Sequence, residues 1–178
     1  LGIEYDPDMV ALSKRNAEKA GVSRLAEFVK ADIFSSDLSR ATVITMFLLQ
    51  ELNLKLRPAI LSMKPGTRIV SNTFTMDDWM HDEIADLDCG QYCTARLWIV
   101  PAKVEGVWQS ARGALSLQQT FQFVSGTLGT MPISNGRLRG TRISFAAGTV
   151  EYSGNVSGSV MEGRFRSAAG SGTWSARR

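Results

Sequence analysis

Leu1-Gly2-Ile3-Glu4-Tyr5-Asp6-Pro7-Asp8, running into Met9 through Ala20, is the stretch on which the fold turns. A short apolar strand ends on an acid, and a turn containing Pro7 leads into a helix with apolar residues at Met9, Val10, Leu12, Ala17 and Ala20. Gly21 stops that helix. An open α/β sheet presents a carboxylate to the ribose hydroxyls of a nucleoside in this way. Such an acid closes the second strand, and a glycine-rich loop comes before it. With Glu4 so near Leu1, the sequence predicts an N-terminally truncated sheet lacking its first strand and glycine-rich loop.

Strand and helix signals alternate outward from that point. Leu25–Lys30 reads as a strand that delivers Asp32, and Ala41–Phe47 as a β-branched strand buried on both faces. Gln50–Ser62 reads as a helix stopped by Lys64-Pro65-Gly66, and Thr67–Asn72 as another buried strand. Phe74–Gln91 reads as an acidic loop, and Arg96–Pro101 as the last strand of the same sheet. This alternation predicts a parallel sheet covered by helices. From Lys103 glycines punctuate short alternating runs such as Arg142–Phe145, Val150–Tyr152 and Val160–Phe165, with no helical segment. The expected fold class is α/β followed by all-β: a partial Rossmann-like sheet over residues 1–102, then a small glycine-rich antiparallel β-barrel or meander over 103–178.

Charge divides along the same line. Residues 1–102 carry 11 Lys and Arg against 14 Asp and Glu, whereas 103–178 carry 9 against 3. A basic β half could favour an anionic partner. Arginines without interleaved aromatics read instead as a solvated face, so nucleic acid is disfavoured. No apolar run approaches the roughly 18 residues that cross a bilayer. A cytoplasmic location is favoured, and export stays open because any leader would precede Leu1. Cys89 and Cys93 have no further ligands beside them, so no metal is expected. They read as two reduced thiols, although Gly90 allows a turn tight enough for a disulfide. His81 reads as a surface residue, and Trp79, Trp98, Trp108 and Trp174 as core plugs.

Two acids carry the chemistry. Glu4 suits both ribose hydroxyls, and Asp32, in Val29-Lys30-Ala31-Asp32-Ile33-Phe34, suits the adenine amino group, with the Ile33 amide near a ring nitrogen. Tyr5, Ile33 and Phe34 are placed to sandwich the base. On these residues, and on Phe47-Leu48-Leu49-Gln50-Glu51-Leu52-Asn53-Leu54-Lys55-Leu56-Arg57-Pro58 with Lys64-Pro65-Gly66-Thr67, the first hundred residues resemble class I S-adenosylmethionine-dependent methyltransferases. The resemblance is to a bacterial branch similar to the mitochondrial protein-lysine methyltransferases, in which a β module often forms the tail.

The resemblance implies S-adenosylmethionine as cofactor, held by Glu4, Tyr5, Asp32, Ile33, Phe34 and Thr45. Residues 45–49 would face the methyl group and an acceptor of the protein-lysine class. No catalytic residue is identified, because Asn72 in Ser71-Asn72-Thr73-Phe74 stands where a histidine is expected. Asn53 and Lys55 read as a solvated helix face. With half of the pocket before Leu1, the 178-residue chain is expected to bind cofactor weakly. The rival reading is a non-catalytic interaction module, dimerising through an exposed sheet edge and binding a partner through the basic β half.

Overall fold

The computed structural model describes all 178 residues, Leu1–Arg178. Two compact units divide the chain, Leu1–Arg40 and Ala41–Arg178.

In the first unit, strand β1 (Gly2–Glu4) pairs in parallel with β2 (Phe28–Lys30), and helix α1 (Pro7–Lys19) connects them. The Asp6 carboxylate caps α1 by accepting the Asp8 amide at 2.8 Å, and Pro7 occupies the first turn, where no amide is needed. Val10 and Ala17, two turns apart, bury one face. The chain leaves the helix through Gly21 at φ 68, a left-handed conformation that costs glycine little. A single 3-10 turn, Ile33–Ser35, follows β2.

The second unit opens with β3 (Val43–Met46), α2 (Gln50–Leu61) and β4 (Arg68–Asn72), a crossover that sets β3 and β4 parallel. Pro58 lies inside α2, which ends within one turn of it. Strands β5 (Glu83–Asp86) and β6 (Thr94–Ile99) complete a four-stranded sheet in the order β3-β4-β6-β5, with β6 antiparallel to both neighbours. The sheet is therefore mixed rather than wholly parallel. The expected acidic loop holds a strand: Glu83-Ile84-Ala85-Asp86 is exposed throughout, so it lacks the apolar alternation that announces a strand. Only its ladder to β6 defines it.

The C-terminal half is a closed antiparallel barrel of eight strands. These are β7 (Gly106–Ser110), β8 (Gly113–Thr120), β9 (Phe123–Leu128) and β10 (Met131–Arg139), then β11 (Arg142–Ala147), β12 (Val150–Ser157), β13 (Val160–Ser167) and β14 (Gly170–Arg177). Neighbours in sequence pair, and β14 closes on β7 through Ala176–Ser110 and Arg177–Gln109. Closure leaves no free edge. Alternate residues point inward and form one core, with Trp108, Leu115, Leu138, Ile143 and Met161 among them. Inside it the Phe145 and Tyr152 rings stack at 4.8 Å, and Trp174 meets both edge-on. Gly154 makes room for this arrangement, since a Cβ there would stand 2.9 Å from the Trp174 ring and 2.6 Å from the Glu162 carbonyl.

The barrel is bonded to the mixed sheet at several points. The Ala102 amide donates to the Gly140 carbonyl at 2.8 Å, and a Cβ on Gly140 would meet the Gly66 backbone at 3.0 Å. Fully buried Gln122 donates to the Met80 carbonyl at 2.7 Å. Arg139 pairs with Glu83, and Arg57 with Asp78, the latter arginine lying 5.4 Å over the Phe121 ring. All four tryptophans are buried, as expected. Trp79 stacks on Phe121 at 5.8 Å and accepts the Trp98 indole N–H on its carbonyl at 2.7 Å. His81 is half-buried, edge-on to Trp98.

Candidate active site

Glu4 and Asp32 stand at the carboxyl ends of adjacent parallel strands, the place where open α/β sheets bind ligands. The register pairs Glu4 with Lys30, and the Ala31 amide donates to the Glu4 carbonyl at 3.0 Å, so the turn bearing Asp32 begins beside Glu4. Each carboxylate is oriented by backbone amides on one oxygen. Glu4 Oε1 accepts from Tyr5 at 2.7 Å and from Asp6 at 3.0 Å, while Asp32 Oδ1 accepts from Phe34 at 2.9 Å and so caps the 3-10 turn. Both side chains are exposed. Tyr5 is exposed beside Glu4, and Ile33 and Phe34 are half-buried in the turn that follows. In the same segment the Ser39 amide donates to Asp37 at 2.9 Å and holds that carboxyl below its ordinary value.

Thr45 lies in the other unit, exposed on β3 and paired with Val70. Asn53 does not lie on a solvated helix face. It is fully buried, and its Nδ2 donates to Ser71 Oγ at 3.2 Å and to the carbonyls of Phe74 and Thr75 at 3.4 and 3.3 Å. It ties α2 to the end of β4. The polar identity of Asn53 hid this, because burial of an amide depends on acceptors from a distant segment. Lys55, two residues on, is exposed as expected. Asn72 is half-buried, and its Oδ1 accepts the Thr73 hydroxyl at 3.1 Å.

Cys89 and Cys93 form a disulfide rather than two thiols, with their Cα atoms 5.7 Å apart across the Gly90 turn. Between them Tyr92 carries one vertex of a triangle of rings. Phe47 lies 6.0 Å from Phe74 and 5.3 Å from Tyr92, and Phe74 lies 6.3 Å from Tyr92. Phe47 follows directly on β3, and Phe74 comes two residues after β4. The sequence offered one sign of this cluster, Phe47 as the last residue of an expected strand and Phe74 just beyond another. The third ring comes from a segment whose placement depends on the disulfide and the β5–β6 ladder.

Residues 1–83 match the ANTKMT methyltransferase domain. The resemblance read from the Leu-Asn-Leu-Lys-Leu-Arg-Pro stretch is thereby borne out. Over 91 residues the chain is 38% identical to a protein-lysine N-methyltransferase of Saccharolobus islandicus (strain REY15A), covering 51% of this chain and 56% of that protein. It is also similar to the crystal structure of an RNA methyltransferase from Salinibacter ruber in complex with S-adenosyl-L-homocysteine. The identity is 43% and the TM-score 0.54, over 58% of this chain and 66% of that one. The chain thus spans a little over half the length of the curated relative. The matched residues 1–83 include β1 to β4, and with them every residue expected to touch cofactor.

Proposed function

We propose that this chain belongs to an S-adenosylmethionine-dependent methyltransferase that modifies lysine side chains of proteins. The observation that carries the reading is the pair Glu4 and Asp32, two carboxylates at adjacent parallel strand ends, each held by backbone amides on one oxygen. That donor set fits a nucleoside: Glu4 would accept from the ribose hydroxyls and Asp32 from the adenine amino group, with Tyr5, Ile33 and Phe34 flanking the base. Residues 1–102 form the methyltransferase part of this reading, and 103–178 a β domain.

When bound, the cofactor supplies a methyl group already activated on a sulfonium. The protein's work is therefore alignment rather than activation. The lysine must shed one proton before its nitrogen lone pair takes the methyl. With the carbon–sulfur electrons kept by sulfur, the acceptor would end as a methylated ammonium, the positive charge having passed from sulfonium to nitrogen.

The protein-lysine name of the Saccharolobus relative supports the acceptor, whereas the Salinibacter relative is named for RNA. Transfer of labelled methyl to a cell lysate, followed by separate protease and ribonuclease digestion, decides between them. Label released as methylated lysine supports the proposal, and label confined to RNA refutes it.

A further inference from the structure

Phe47 is 57% exposed and Tyr92 54% exposed, yet both rings pack against Phe74 rather than standing apart. Exposed aromatic faces gathered at strand ends are costly to leave in water and form an apolar surface with negative ring faces. Each of the three is mounted on a restrained backbone. Phe47 directly follows Met46, which is paired with Ser71. The carbonyl of Phe74 is held by buried Asn53, and the preceding residue, Thr73, by its amide to the Thr94 carbonyl at 2.6 Å and its carbonyl to Arg96 Nε at 3.0 Å. Tyr92 sits inside the Cys89–Cys93 ring at a left-handed φ of 57. A surface whose rings are already fixed loses little freedom on binding.

Charge selects the occupant. Residues 74–93 contain six Asp and Glu and no Lys or Arg. Asp78, Asp82 and Glu83 are paired with arginines, whereas Asp77, Asp86 and Asp88 form no ion pair. Asp86 and Asp88 lie on the segment that leads into Tyr92. Such a surround repels a phosphodiester backbone and attracts a cation. Ring faces set within an acidic segment suit an alkylammonium, held by cation–π attraction.

We propose that Phe47, Phe74 and Tyr92 form an aromatic cup that receives the side-chain ammonium of the acceptor lysine and its methylated forms. The Cys89–Cys93 disulfide acts as the positioning element for Tyr92. This rests on the methyltransferase reading given above, but the cup can be tested without turnover.

The probes are a short peptide carrying Nε-trimethyllysine and the same peptide with the neutral carbon isostere. They are titrated into the 178-residue chain while ring-proton resonances are followed. The charged peptide is expected to shift the Phe47, Phe74 and Tyr92 ring signals and to bind about tenfold more tightly than the isostere. Phe47→Leu and Tyr92→Leu keep apolar bulk on exposed positions and are each expected to weaken binding by a similar factor, with an unchanged thermal midpoint. Equal binding of the isostere, or unaltered binding by both variants, overturns the cup. Preferential binding of a single-stranded RNA oligomer that the same variants weaken also overturns it, in favour of a base-stacking platform. If the cup binds but no methyl is transferred to lysine, the catalytic reading fails and the cup stands. If lysine is methylated with the acceptor KM unchanged in Phe47→Leu, the cup fails and the catalytic reading stands.

Discussion

Asp82 joins the mixed sheet to the barrel: its Oδ1 accepts from Arg137 at 3.1 Å while its Oδ2 accepts the Ile99 amide at 2.8 Å. The carboxylate is fully buried and the guanidinium is 44% exposed, so the two partners are not equivalent. Removing the acid strands a buried backbone donor, whereas removing the arginine leaves Asp82 one amide partner. Asp82→Ala is expected to cost about 1–3 kcal/mol. Arg137→Ala should cost less than about 1 kcal/mol, as a largely solvated partner does. Urea unfolding of the two variants checks the order, and a larger loss for Arg137→Ala would contradict it.

Asn53 supports the ends of β4 and α2 from within. Asn53→Leu removes a donor shared by three oxygens and leaves Ser71 and the Phe74 and Thr75 carbonyls without it, at a cost of about 1–3 kcal/mol. Because the Phe74 backbone is one of those partners, the ring resonances of Phe47 and Tyr92 should move as well. Stability measured with ring-proton spectra tests both consequences. A Leu variant as stable as the parent would show that the contacts contribute nothing.

Glu4→Gln keeps the shape of the side chain but replaces one carboxylate oxygen with a donor. Hydrogen bonds to a charged group contribute about 1.5–3 kcal/mol, so cofactor affinity should fall by about ten- to a hundredfold. Asp32→Asn should act in the same direction. Calorimetric titration with S-adenosylhomocysteine measures both. Unchanged affinity in both variants would remove these acids from the nucleoside site.

Close approach between strands makes the barrel sensitive at Gly163, where an added Cβ would stand 1.9 Å from the Ser153 carbonyl oxygen and 2.4 Å from the Gly154 Cα. Backbone cannot yield as a flexible side chain can, so Gly163→Ala should destabilise the barrel by at least about 1–3 kcal/mol. Gly158→Ala offers a control, because open space surrounds that position and only its φ of 57 opposes the change. Thermal melts should rank Gly163→Ala well below Gly158→Ala.

Asp37 gives a pH signature in the first unit. Its folded-state value lies below 3.8 because the Ser39 amide donates to the carboxylate. The contribution is therefore present above the unfolded value and is lost as pH falls through the lower, folded one. The Asp37 carboxyl carbon should titrate below 3.8 by NMR, with the Ser39 amide shift following the same curve. A midpoint at or above that value would show that the turn does not hold the charge.

Periodicity and punctuation made much of this molecule readable in advance. The α1 helix with Pro7 at its start and Gly21 at its end, the acids closing β1 and following β2, and the glycine-punctuated β half are local patterns. Each is set by residues within a few positions of one another. The Leu-Asn-Leu-Lys-Leu-Arg-Pro helix carried the family resemblance for the same reason. Alternating burial in residues 103–178 announced strands but left barrel and meander equally open, because only the long-range pairing of β14 with β7 closes the ring.

Distance in sequence is what concealed the remainder. β5 exists by its ladder to β6, Asn53 is buried by acceptors some twenty residues away, and Asp82 meets an arginine on β10. The Cys89–Cys93 bond sets Tyr92 beside two phenylalanines that arrive from the ends of other strands. Composition and local pattern determined the kind of elements and placed the two acids proposed for the nucleoside. Tertiary folding decided which polar groups are buried, which cysteines bond and which rings meet, because those outcomes depend on partners that no short window of sequence contains.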